Sequence, residues 1–193
     1  MSHVSGGRFL AKRTRKAQEA RGRRPAGPPR AKTATGAVST PLATYLLVLA
    51  SYLGLAFVIY GPALDGEFIS DDRHYVEQNV YVQEPTGDNL VAILDPTSVV
   101  SVLVENYAPV HLLLHALEWQ FFGSDVRGYH VVNVILHALA AWLLVLLFLR
   151  SSVSAPAAIL AGFLFLVHPG NVEAVAWISQ LKTSSAMVLM ILA

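Results

Sequence analysis

The sequence contains no cysteine. That absence excludes a disulfide framework, a thiolate metal centre and a thiol nucleophile, and it leaves the redox compartment unmarked. Charge is scarce as well: 14% of the 193 residues are Asp, Glu, Lys or Arg, against about 25% in an ordinary soluble domain. So few charges cannot coat a single water-soluble domain, and where they are missing the chain runs uncharged over membrane length. No internal repeat period is visible, which excludes a solenoid within this stretch. What is present is 54% apolar residues and a mean hydropathy of +0.49. The composition predicts an all-α, polytopic helical membrane protein.

The net charge of +1 hides a partition. Ten of the fourteen basic residues, Arg8 through Lys32, lie within residues 1–40, where Glu19 is the one acid. This segment is rich in Gly, Ala, Pro and Ser and has no apolar periodicity, so it reads as a disordered cytoplasmic tail that touches anionic lipid. A nucleic-acid arm and a mitochondrial transit peptide are the rival readings. From residue 41 onward twelve acids face four bases, Arg73, Arg127, Arg150 and Lys182.

Uncharged runs mark the spans. Leu42 to Tyr60 supplies 19 nearly all apolar positions, roughly 28 Å of helix, and is longer than the apolar core of a cleaved signal peptide. The basic tail before it predicts a cytoplasmic N-terminus. Residues 61–129 hold eleven acids, and Pro62, Pro85, Gly87, Pro96 and Pro109 break any long helix, which predicts an external loop. Within it, about 109–122 reads as an interfacial helix, with His111, His115 and Glu118 on one face. Helices are predicted at about 130–149, ending at Arg150, and at about 156–168, stopped by His168-Pro169-Gly170. A last helix, about 183–193, is too short to cross a bilayer, so residues 41–193 read as an N-terminal part of a larger membrane module, inactive by itself.

Three groups can carry chemistry. Adjacent Asp71 and Asp72 repel, which raises one carboxylate toward the range where it takes a proton from a hydroxyl; the pair can also hold a divalent cation against a phosphate, or be a solvated acidic turn. His130, Asn133 and His137 form one stripe, with His137 roughly 10 Å deeper than His130. They serve a cavity or bond neighbouring helices. His168, Glu173 and Lys182 stand at the outer end of the second hairpin, where Lys182 meets a lipid phosphate or snorkels. The His111/His115 spacing also resembles a metal pair, without a third ligand in sequence.

Together, Asp71-Asp72, Asn106-Tyr107-Ala108-Pro109, Phe122-Gly123, Gly128-Tyr129-His130-Val131-Val132-Asn133 with His137, and the block His168 to Ser179 resemble a known family. Over about Phe68 to Ala193 the chain is similar to bacterial relatives of the transmembrane-and-TPR O-mannosyltransferases. The resemblance implies a GT-C glycosyltransferase module in a bacterial inner membrane. It implies transfer of a sugar, with inversion, from a polyprenyl-phosphate donor to a hydroxyl of a protein acceptor outside the cytoplasm, with no nucleic-acid partner. It further implies that Asp71 or Asp72 is the base, and that His130, Asn133, His137, His168, Glu173 and Lys182 lie toward the substrates. The chain departs from the family at Ala108 and Leu181, where basic residues are common. The competing reading is a non-catalytic membrane anchor for an absent repeat domain, and a third is a small transporter.

Overall fold

The computed structural model describes residues 41–193; the basic segment read as a disordered tail lies outside them. Among the described residues every regular element is helical. In chain order they are α1 (Leu42–Tyr60), a 3₁₀ turn (Gly61–Asp65), a π-helical turn (Arg73–Glu77), α2 (Val80–Gln83), α3 (Gly87–Leu94), α4 (Val99–Leu103), α5 (Pro109–Phe122), α6 (Val126–Arg150), α7 (Ala155–Val167), a short 3₁₀ turn (Pro169–Asn171), α8 (Val172–Ala176), another short 3₁₀ turn (Ile178–Gln180) and α9 (Leu181–Leu192). The all-α membrane architecture expected from composition is the one observed. Two helices are long and apolar enough to cross a membrane, and a bent pair makes a third.

The long helix α6 is the axis. Its 25 residues reach roughly 37 Å, and α1, α7 and α9 pack along it. It starts at Val126, four residues before the expected 130. An uncharged run marks only the part of a helix that crosses the bilayer, whereas the helix begins where Asp125 accepts the Arg127 N–H at 3.1 Å. Arg127 then reaches Asp65 at 2.7 Å, so the end of α1 and the start of α6 share one membrane face. That pair is exposed on both sides and adds at most about 1 kcal/mol.

Helix α1 buries only Tyr52, Ala56 and Tyr60, one stripe at four-residue spacing. Lipid is as apolar as a leucine side chain, so close packing of small residues joins these helices. Ala56, Ala138, Ala141, Ala158 and Gly162 are all buried. A Cβ on Gly162 would stand 2.6 Å from Val145 and 2.8 Å from the Ala141 carbonyl. The contact requires glycine for its closeness.

The helix expected at about 156–168 is α7, 13 residues long, and after it the chain bends by 53° into Pro169–Ala176. Pro169 forces the break, since the residue before a proline is pushed out of helical geometry and His168 has φ −67°, ψ 125°. A broken helix frees carbonyls that need donors inside a bilayer. The polar stripe of α6 and its neighbours provide them. His137 Nε2 donates to the Leu166 carbonyl at 3.1 Å, Tyr60 donates to the same oxygen at 3.4 Å, and Asn171 donates to Phe165 at 2.7 Å. Asn133 donates to the Trp177 carbonyl at 3.0 Å, where α8 ends.

Helix α5 presents its faces the other way round from a surface helix. His111, His115 and Glu118 are buried, while Val110, Leu117 and Phe121 are exposed. The inner side offers Tyr75, Tyr129 and a fully buried Asp72 as polar surroundings, whereas the outer side is mainly apolar, with Gln120 its exposed polar residue. Gly123, at φ +56°, and Gly128, where a Cβ would lie 2.2 Å from the Phe122 ring, let α5 turn tightly into α6.

Candidate functional site

The segment between the 3₁₀ turn and α2 carries the acidic pair, and the structure separates its members. Asp72 is fully buried and points inward. One of its oxygens accepts the Ser179 N–H at 2.7 Å and the Ser179 hydroxyl; the other accepts the Ile69 N–H at 3.1 Å. Asp71 is exposed and faces outward, with only the Ser70 hydroxyl donating to it, at 3.2 Å.

Asp71 opens onto a cleft of about 310 Å³ that it shares with His74, Tyr75, Glu105, Asn106 and Lys182. Lys182 lies on the first turn of α9, its ammonium 5.2 Å from the centre of the Tyr75 ring. That cation–π contact orients it without neutralising it. Lys182 pairs with no carboxylate among the described residues. Two cleft-side residues, Ser70 at φ 48° and Glu105 at φ 53°, hold left-handed backbone without being glycine. Such strain collects where geometry serves function rather than stability.

On its other side Lys182 also lines an apolar groove of about 270 Å³ between α5 and α9, with Val110, Leu114, Ala186 and Leu189. A second apolar groove shares Leu114 and Ser185 with it and continues toward Phe121 and Leu136. A polar cleft and an apolar furrow therefore meet at one lysine. Their place along the bundle follows from Asn133, which bonds the segment just before α9 and lies seven residues into α6, roughly 10 Å from its start.

Beneath the cleft sits a buried polar layer. The His111 and His115 rings are 4.4 Å apart, and His115 Nδ1 is 2.7 Å from Glu118 Oε2. Burial pushes the Glu118 carboxyl up to about 8 and both imidazoles down to about 3, the latter helped by the Lys182 charge. The contact is thus a neutral carboxyl–imidazole hydrogen bond at neutral pH rather than an ion pair. Both ring nitrogens of His111 and of His130, and Nε2 of His115, have no protein partner, an arrangement that costs stability.

These shifts make a pH prediction. Above its ordinary value of 4.5 Glu118 ionises only when unfolded, so its contribution weakens the fold as pH rises from about 4.5 to about 8. Below 6.5 the two histidines take protons only when unfolded, so their contribution weakens the fold as pH falls from about 6.5 to about 3. Two imidazoles outweigh one carboxyl between 4.5 and 6.5, and this cluster is most stabilising near pH 6.5. Thermal unfolding in detergent should show that maximum, and Glu118→Gln should flatten the limb between pH 6.5 and 8 while keeping the acid limb.

Of the other residues expected at the site, His130 and Asn133 are buried, and His137 lies against Tyr60 and Phe165. His168 is exposed and accepts the Gly170 N–H, and Glu173 is exposed; neither lines the cleft. Sequence reasoning did not single out Ser179, Tyr75 or Asn106. Ser179 stood within the resembling block, but its partner Asp72 is distant in the chain.

An all-α chain with membrane-length helices and a polar cleft at one membrane face is an integral membrane protein. It is 36% identical over 131 residues to the protein O-mannosyl-transferase Tmtc1 of Drosophila melanogaster, covering 66% of this chain and 15% of that protein. It is 31% identical over 134 residues to tmtc2 of Xenopus laevis, 68% of this chain and 16% of the relative. It is 30% identical over 152 residues to TMTC1 of Mus musculus, 72% and 15%. The chain is therefore related to the Tmtc proteins over about two thirds of its length, and it spans about 15–16% of theirs. No family model matches the chain. No solved structure matches it either.

Proposed function

We propose that this chain carries the donor-binding and base-bearing part of a protein O-mannosyltransferase that uses a polyprenyl-phosphate sugar and works on the non-cytoplasmic face. The observation that carries the reading is Lys182, a cation with no carboxylate partner among the described residues, with the Asp71 cleft on one side and an apolar furrow on the other. A lipid phosphate needs both surroundings at once. Its charge meets the ammonium, its isoprenoid chain follows α5 and α9, and its sugar enters the cleft.

In this reading Asp71 takes the proton of a Ser or Thr hydroxyl. The freed oxygen attacks the anomeric carbon, the bond from that carbon to the phosphate oxygen breaks, and the phosphate leaves with the electron pair beside Lys182. One displacement inverts the anomeric centre. Asp72 has no path to the acceptor, so the base is Asp71. The excess of Lys and Arg before α1 favours a cytoplasmic N-terminus by the positive-inside rule, and in this reading the acidic loop lies outside.

Geranylgeranyl phosphate is a short probe of the site. The full chain in lipid nanodiscs should bind it more tightly than geranylgeraniol, and Lys182→Gln should weaken it about 10- to 100-fold, the worth of one charge-assisted contact. Equal affinity for phosphate and alcohol contradicts the reading.

A further inference from the structure

Asp72 is the residue the proposed reaction leaves unused, although it is a carboxylate with no exposed surface and no cation bonded to it among the described residues. Three donors replace its hydration, two of them from Ser179 and one from Ile69. Ser179 lies in the short turn between α8 and α9, and Lys182 follows three residues later. Asp71 precedes Asp72 directly. One buried bond thus ties the loop that carries the carboxylate to the turn that carries the cation.

We infer that the Asp72–Ser179 contact is a latch that fixes the spacing of Asp71 from Lys182, and that Asp72 is a positioning residue. An apolar pair of the same volume would hold the two segments together at least as well, since buried charge is weak currency for stability. What the carboxylate adds is register. Its two oxygens accept from two segments in fixed directions, against a loop whose neighbour Ser70 is in left-handed backbone. The functional value of that register rests on the reading of Asp71 and Lys182 given above; the latch itself does not.

Because the chain has no cysteine, His74→Cys and Thr183→Cys add a unique pair of spin-label sites at exposed positions, one on the segment that follows Asp71 and one next to Lys182 on α9. Electron–electron distance measurement on the full chain in nanodiscs should give one narrow distribution. Ser179→Ala, which removes the hydroxyl, and Asp72→Asn should broaden it with helicity unchanged, and Ser179→Thr, which keeps both donors, should restore it. The same two broadening variants should weaken geranylgeranyl phosphate at least about threefold, while Ser179→Thr binds as the parent does. If Asp72→Asn does not fold, the Ala and Thr variants at Ser179 decide alone. Distributions that superimpose on the parent for Ser179→Ala and any folded Asp72→Asn overturn the latch. A broadened distribution with unchanged lipid affinity upholds the latch and contradicts the phosphate role of Lys182.

Discussion

Asp71→Asn in the complete gene product should lower mannosyl transfer from a polyprenyl-phosphate donor to a Ser- or Thr-containing peptide by about a hundred- to ten-thousand-fold, the usual worth of a positioned general base. Asparagine keeps the shape of the side chain and cannot accept the proton. The fold should not suffer, because Asp71 is exposed and its single side-chain partner is the Ser70 hydroxyl at 3.2 Å. Donor affinity should hold within about twofold, since Lys182 and the apolar furrow are untouched and uniform binding does not depend on the base. The loss should therefore fall on turnover. Unchanged turnover in membrane preparations of this variant would remove Asp71 from the chemistry.

The same acidic pair shows what could be read in the residues beforehand and what could not. That a carboxylate pair follows the first span was legible from charge spacing alone. Which of the two faces a substrate was not, because the answer depends on Ser70 in left-handed backbone and on a hydrogen-bond partner more than a hundred positions downstream. The apolar run Leu42 to Tyr60 announced itself because nothing in a bilayer satisfies an extended backbone. The stop at His168-Pro169-Gly170 was legible too, since proline cannot continue a helix. Hydropathy does not show the 53° bend into the next helical segment, nor the donors from His137, Tyr60 and Asn171 that make the bend tolerable. On α5 the triad His111, His115 and Glu118 was visible as one face, but periodicity does not say whether a polar face looks toward water or toward a polar interior. The burial of Asp72 and the exposed Val110, Leu117 and Phe121 turn that face inward.

The second large expectation concerns sidedness, on which the assigned chemistry depends. Ten of the fourteen basic residues precede α1, Arg150 closes the far end of α6, and the connection between α1 and α6 is rich in acids. Cationic segments tend to be retained on the cytoplasmic side, so the cleft is expected to face away from it. The end of α1 and the start of α6 are already joined on one face by Asp65 and Arg127. The turn after Arg150 belongs to the other, one bilayer thickness away along α6.

Single-cysteine labelling in intact cells with a membrane-impermeant maleimide measures this directly, because the parent chain has no thiol of its own. His74→Cys, at the cleft, should label almost completely before permeabilisation, and Ser152→Cys, in the turn between α6 and α7, only after it. Labelling of His74→Cys only after permeabilisation would put the cleft where no external acceptor can reach it, and labelling of both from one side would contradict α6 as a span between them.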